Sequence, residues 1–377
     1  MNNLPKKLSF IIFFGLLVAL PIATIFSPKE KFSDVENRPL ADFPKATSDN
    51  IIERKFMNGI ETYLADHFVG RTAWISAKTK MELAEGKGES NGVYILKDRL
   101  IEKLDTPDYT EIDKSIAAIN NFAETNKIPT YVMLAPTSTG VYADELPEIS
   151  PQYDQKKFIN DVYAKFSNQI ISLDIFNTMF SNRDQYIYYR NDHHWTSLGA
   201  YYAYSSTIKR MGYKAISLDK FDIEHASSEF KGTLYSKAVY DEIPADTIDI
   251  YSYADGTNVT EVLVNNGSET TSYPSLYFRE YLEKKDKYST FLGSNQPIIT
   301  VKTNSVNGKK LLMFKDSYAH SYVPFLAQHY SEITLVDMRY INTAYADILE
   351  VSDYDQVMFL YNAATFAGET NIKKLDF

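Results

Sequence analysis

Lys309-Lys310-Leu311-Leu312-Met313-Phe314-Lys315-Asp316-Ser317-Tyr318 is a short, largely apolar run that stops at an acid and a hydroxyl. A helical pattern through Val323, Phe325, Leu326 and His329 follows at once. The run reads as a strand and the break as a strand-to-helix junction. A serine there has two readings. Its hydroxyl projects from the carboxyl end of a strand, where amides of the next turn can donate to an oxyanion, so it suits a nucleophile. Alternatively it is an N-cap.

Similar runs lie on either side. Residues 130–135 form a continuous apolar stretch ended by Pro136-Thr137, as expected of a buried parallel strand. Residues 170–173, 333–336 and 357–360 read as further strands, 113–125 and 155–169 as helices, 51–84 as helical and 93–104 as a hairpin. The alternation predicts an α/β/α sandwich on a mostly parallel sheet, with any site at the carboxyl ends of the strands, where Ser317 falls. Residues 221–308 break the pattern. Residues 247–264 alternate as β structure, with turn signals at Asp255-Gly256 and Asn266-Gly267, which predicts a β-rich insertion, a rim or lid.

A second stretch carries chemistry: Arg190-Asn191-Asp192-His193-His194-Trp195-Thr196-Ser197-Leu198-Gly199-Ala200. Only six histidines occur in the chain, and two are adjacent here beside a carboxylate. Histidine titrates near neutrality, so it can take a proton from a nucleophile and return it. A carboxylate on one ring nitrogen fixes the tautomer and stabilises the imidazolium. Asp192 and His194 are two apart, so in an extended segment they leave the backbone on one side. Trp195 would flank the imidazole, and Thr196 or Ser197 would cap the next helix. A solvated loop is the bland alternative, as is a divalent metal site on the same three side chains. His193 reads as structural, with a base role as its alternative. His320, one turn beyond Ser317, could reach the cleft, although a surface or partly buried helix position is the plainer expectation.

Residues 8–26 carry no charge and follow Lys6 and Lys7, and their length suits a bilayer core of ~30 Å. The reading is an uncleaved membrane anchor over 1–27, with a signal peptide as the alternative. Residues 28–50 have prolines, mixed charge and little periodicity, and read as a linker. Residues 51–377 are then one catalytic domain outside the cytoplasm. The absence of cysteine excludes thiol catalysis and cysteine-ligated metal. A net charge of -10 without a basic block argues against nucleic acid. The 29 tyrosines suit sugar stacking or, more plainly, core packing.

Asp192-His193-His194-Trp195, Lys315-Asp316-Ser317-Tyr318 and Asp337-Met338-Arg339-Tyr340 together resemble the bacterial DHHW family, which is similar to the alginate O-acetylation proteins J and X with their SGNH-hydrolase-like domain. Glu36-Asn37-Arg38-Pro39-Leu40, Asp66-His67-Phe68-Val69-Gly70-Arg71 and Gly92-Val93-Tyr94-Ile95 agree, so the resemblance runs from about residue 32 to the C-terminus. It implies Ser317 as nucleophile with Asp192 and His194 as the acid-base pair, in an order where acid and base precede the serine. Lys315 stands where the usual SGNH first block, Gly-Asp-Ser, has glycine, and no second-block glycine or third-block asparagine is evident. Oxyanion donors are therefore sought at the amide of Ser317 or Tyr318, with the side chains of Asn362 and Arg339 as candidates that also have structural readings. The resemblance further implies acetyl transfer to a cell-surface polysaccharide, with a membrane-bound O-acyltransferase as supplier of acetyl groups. No metal and no cofactor are expected. A carbohydrate acetylesterase and a non-catalytic polysaccharide-binding component are the alternatives.

Overall fold

Strand alternation builds the layers. In the computed structural model, residues 4–36, 38–148, 150–253, 255–256 and 258–376 are described, so Asn37 of the first motif and residues 1–3 of the anchor segment lie outside the described residues. The chain divides into two compact units, one from the N-terminus to Asn91 with Tyr235–Asp241, the other Gly92–Leu234 with Glu242 onward.

The second unit is built on eight strands: β1 (Thr130–Ala135), β2 (Ile170–Ser172), β3 (Val259–Asn265), β4 (Thr270–Tyr273), β5 (Ile298–Thr303), β6 (Lys310–Lys315), β7 (Glu332–Val336) and β8 (Gln356–Asn362). Their order across the sheet is β4-β3-β5-β7-β6-β8-β1-β2. Strands β7, β6, β8, β1 and β2 run parallel, and β5, β3 and β4 extend the β7 edge antiparallel. Tyr131, Met133, Leu311, Met313, Met358 and Leu360 face one core, which includes helix α2 (Ser197–Thr207) and helix α3 (Ala319–Leu326). Their neighbours Val132, Leu134, Leu312, Phe314, Val357 and Phe359 face the other, with helix α1 (Tyr109–Asn126) and the helix Gln155–Tyr163. Helices thus cover both faces, and the central strands are buried throughout, which is why they read as unbroken apolar runs. This is the α/β/α sandwich with a mostly parallel sheet that the sequence predicts.

The β-rich segment contributes to the main sheet. Three of its strands join the main sheet, where they cover an edge that five parallel strands would leave open. Only the ribbon of Asp222–Phe230 with Asp246–Ser252 stands apart from that sheet. The expected hairpin is present as Val93–Ile95 against Leu100–Glu102.

The first unit holds an apolar helix, Leu4–Phe26, whose Lys7–Phe26 stretch is long and apolar enough to cross a membrane. The helical stretch expected over 51–84 is three helices, Ser48–Ile52, Lys55–Asp66 and Arg71–Ala84. Breaks fall at Arg54 (φ 58°) and at Gly70 (φ 68°), where the left-handed backbone suits glycine. The segment 28–50 is fastened by side chains. Phe32–Ser33 pairs with Arg38–Pro39, and Glu36 accepts from Arg71 Nε (2.6 Å) and Arg38 Nε (2.8 Å). Arg38 donates to both oxygens of Asp66 (3.0 and 2.6 Å), which also accepts from the Ala41 amide. The Arg38 hydrogen bonds hold the Asp66 carboxyl down to about 2 against its burial. The two N-terminal motifs therefore meet as an ionic clasp.

Candidate active site

Strand β6 lies between β7 and β8, and its carboxyl end delivers Ser317 to the junction with α3. Asp316 shapes that junction. Its Oδ1 accepts from the Tyr318 amide (2.9 Å), and its Oδ2 accepts from the amide (2.8 Å) and side chain (2.7 Å) of Asn362 at the end of β8. A buried carboxylate thus braces two adjacent strand ends and turns Ser317 outward as a half-buried side chain. Burial pushes the Asp316 carboxyl up, opposed by the amides of Asn362 and Tyr318.

Ser317 Oγ lies 2.7 Å from His194 Nε2, and His194 Nδ1 lies 2.6 Å from Asp192 Oδ1. The carboxylate accepts from Nδ1–H, so Nε2 is the acceptor for the serine hydroxyl. Asp192 is braced by four donors: the His194 amide (3.0 Å) and Nδ1 on Oδ1, and the Thr233 amide (2.8 Å) and hydroxyl (3.0 Å) on Oδ2. Burial raises the Asp192 pKa, but His193, His194 and these hydrogen bonds outweigh it and hold the carboxyl well below the usual range. Gly232 makes the close approach possible, since a Cβ there would stand 2.2 Å from Asp192 Oδ2. Burial and the neighbouring His193 lower His194 to about 4, against the pull of Asp192. The site at neutral pH is therefore an ionised acid, a neutral imidazole and a hydroxyl in one hydrogen-bonded line.

A pH consequence follows for stability. His194 binds a proton more weakly folded than unfolded, so its contribution is present above about 6.5 and is lost as pH falls through about 4. Urea midpoints of the wild type relative to His194→Gln are expected to decline across that window; a constant difference would contradict the buried neutral imidazole.

The aromatic walls come from two segments. Tyr288, from the β-rich region, stacks on the His194 ring at 3.7 Å and 9°. Its hydroxyl donates to the Ser317 carbonyl (2.9 Å) and bonds Ser321 Oγ (3.1 Å). His193 lies against the other side of His194, with centroids 3.9 Å apart, and its Nδ1 bonds the Thr233 hydroxyl (2.7 Å). Trp195 is fully buried and donates to the Tyr318 carbonyl (3.0 Å) and Ser321 Oγ (2.9 Å). It ties the histidine segment to α3 and does not line the cleft.

The other candidates are engaged as follows. The Tyr318 amide is taken by Asp316 and its hydroxyl donates to the His193 carbonyl, which removes it as an oxyanion donor. Asn362 donates its side-chain hydrogens to Asp316 and Thr365 (2.7 Å each) and caps the following helix, so it is structural. Arg339 forms a two-pronged pair with Asp337 (2.8 and 2.6 Å) and keeps about a third of its side chain exposed. Lys315 is fully buried and donates to Asn295 Oδ1 (2.9 Å) and His320 Nε2 (2.8 Å), with Asp337 at 3.4 Å. Burial, with Arg339 nearby, brings its ammonium down to about 8 against Asp337. His320 is buried in this cluster, neither at the surface nor in the cleft. Gly232, Thr233 and Tyr288 were not singled out by sequence, because their partners are 40 or more residues away or, for Tyr288, hidden among many tyrosines.

Asp192, His193 and His194 place three potential metal-ligand atoms within 4.8 Å of one another. Both Asp192 oxygens, both His194 ring nitrogens and His193 Nδ1 are engaged in the hydrogen bonds above, an arrangement suited to proton transfer.

Solved structures share this fold. A DHHW family protein from Eubacterium siraeum is 26% identical, with a TM-score of 0.67 over 76% of this chain and 96% of that one. PatB1 of Bacillus cereus, solved alone and with a sulfonyl adduct, is 23% and 21% identical, each with a TM-score of 0.63 over 74% of this chain and 98% of the other. The PatB1 likeness speaks for the fold alone. No curated protein matches the chain. The family model described as DHHW protein matches residues 82–336, more than half of the sequence and inclusive of Asp192, His194 and Ser317. The chain belongs to the DHHW protein family.

Proposed function

We propose that the chain is an extracytoplasmic serine O-acetyltransferase acting on a cell-surface polysaccharide. The observation that carries this is the continuous hydrogen-bonded line from Asp192 through His194 to Ser317. Ser317 Oγ attacks the carbonyl carbon of an acetyl ester as its proton passes to His194 Nε2. Asp192 stabilises the imidazolium, and the Ser317 amide donates to the oxyanion, the Tyr318 amide being taken. His194 returns the proton to the departing alkoxide, leaving acetyl-Ser317. A sugar hydroxyl, deprotonated in turn by His194, attacks that ester and restores the serine.

The polysaccharide acceptor and a membrane-bound acyltransferase supplying acetyl groups rest on the resemblance to the alginate O-acetylation proteins J and X. The apolar Lys7–Phe26 helix supports an anchored protein with its second unit outside the cytoplasm. Competition between acceptors tests the reaction type. With an activated acetyl ester, added oligosaccharide is expected to yield acetylated sugar and to speed ester consumption; products formed only by hydrolysis would make the protein an acetylesterase.

Tyr288 is a positioning residue in this scheme. Tyr288→Phe removes the neutral hydrogen bonds to the Ser317 carbonyl and Ser321 Oγ and leaves the stack, so kcat is expected to fall about tenfold or less with KM unchanged. Loss of activity comparable to that of Ser317→Ala would show that the hydroxyl acts directly in the chemistry.

A further inference from the structure

We infer that the first unit sits on the bilayer, with Trp74 and the segment Phe68–Val69–Gly70 in the outer headgroup boundary. The inference rests on the reading of Lys7–Phe26 as a membrane span. That stretch has 20 residues, which at ~1.5 Å per residue give about 30 Å, the thickness of the hydrocarbon core with little to spare. Thr24, two residues before its end, therefore lies at the outer boundary.

Thr24 is also where the helix meets the rest of its unit. Among the described residues of Lys7–Phe26 it is the one buried side chain, 3% exposed. Its hydroxyl accepts from the Val69 amide (3.2 Å), and its carbonyl accepts from Lys29 Nζ. Val69 in turn accepts at its carbonyl from Trp74 Nε1 (3.1 Å). A chain of two hydrogen bonds thus connects the end of the span to an indole that is 50% exposed. Phe68 lies beside that indole (6.3 Å), and Lys29 lies over the Tyr63 ring (6.0 Å). Indoles, phenols and lysines at one level are what the water-lipid boundary selects, because each has an apolar body and a polar end.

Charge agrees. Beyond the span, residues 27–91 carry 10 Lys and Arg against 11 Asp and Glu, so this part of the unit is close to neutral and the acidic excess of the chain lies elsewhere. The segment 28–50, expected as a linker, is clasped to the same unit by Glu36, Arg38, Asp66 and Arg71. The occupant of the exposed aromatic face is accordingly lipid.

The chain has two tryptophans, and Trp195 is fully buried, so both emit but a lipid-borne quencher reaches Trp74 alone, without labelling. The full-length chain is reconstituted in phosphatidylcholine vesicles with and without bromines near the top of the acyl chains. Emission is expected to fall by about half in brominated lipid, the share of a boundary-seated indole, and the effect to vanish in Trp74→Phe. Equal emission in both lipids, from protein that resists alkaline carbonate extraction, would overturn the seat and leave the span standing. Extraction by carbonate would overturn the span reading and the seat with it.

Discussion

Ser317→Ala and His194→Ala are each expected to lower ester turnover by on the order of 10⁴-fold or more, and the double variant to be little worse than either. The two groups act in one step: without the hydroxyl the imidazole has no proton to take, and without the imidazole the hydroxyl has no acceptor. Ser317 is half-buried at the junction, and its Oγ meets His194 at 2.7 Å, so alanine there removes little packing. His194 is different, since its ring stacks on Tyr288 and lies against His193. Its alanine variant is therefore read beside His194→Gln, with thermal midpoints for both. Turnover above a tenth of wild type in Ser317→Ala would remove Ser317 as nucleophile.

Asp192→Asn is expected to cost about 10³- to 10⁴-fold in kcat despite its nearly identical shape. Both carboxylate oxygens are surrounded by donors, the amide and Nδ1 of His194 on one and the amide and hydroxyl of Thr233 on the other. A side-chain amide must point its NH2 at one of these pairs. Turned to His194, it forces the Nε2–H tautomer, which cannot accept from Ser317; turned to Thr233, it leaves buried donors opposed and weakens the loop. Either orientation also loses the charge that stabilises the imidazolium. The pH-rate profile separates this role from a structural one: a base without its carboxylate loses protons more easily, so any residual activity keeps its acid limb at a lower pH. Wild-type kcat in Asp192→Asn would contradict the orienting role.

Much of the sheet was legible because it is buried on both faces. Residues 131–135, 311–314 and 357–360 are apolar at every position, and no surface helix has that pattern. Asp192, His194 and Ser317 were brought together by the resemblance to the DHHW family; only Ser317 stands at a strand's carboxyl end, while Asp192 and His194 lie in the loop before α2, where local sequence alone also suits a solvated turn. What the sequence hid was long-range. Thr233 and Gly232 brace Asp192 from about 40 residues away, and a hydroxyl or a missing Cβ carries no local signature. Tyr288 is one of 29 tyrosines. Trp195 and Asn362 look like site residues by position, yet both face inward, where their polar atoms fasten α3 and the end of β8. The segment 28–50 read as a linker because its contacts are ion pairs between two motifs, which leave no hydrophobic period.

The most direct test is intact-mass and peptide mapping of the full-length chain in detergent after incubation with an activated acetyl ester, beside Ser317→Ala. The mechanism predicts one added acetyl group on Ser317, absent in the variant and discharged faster by oligosaccharide than by water. An unmodified Ser317 in folded protein, with no ester consumed while a control esterase turns over, would contradict the acetyl-serine mechanism.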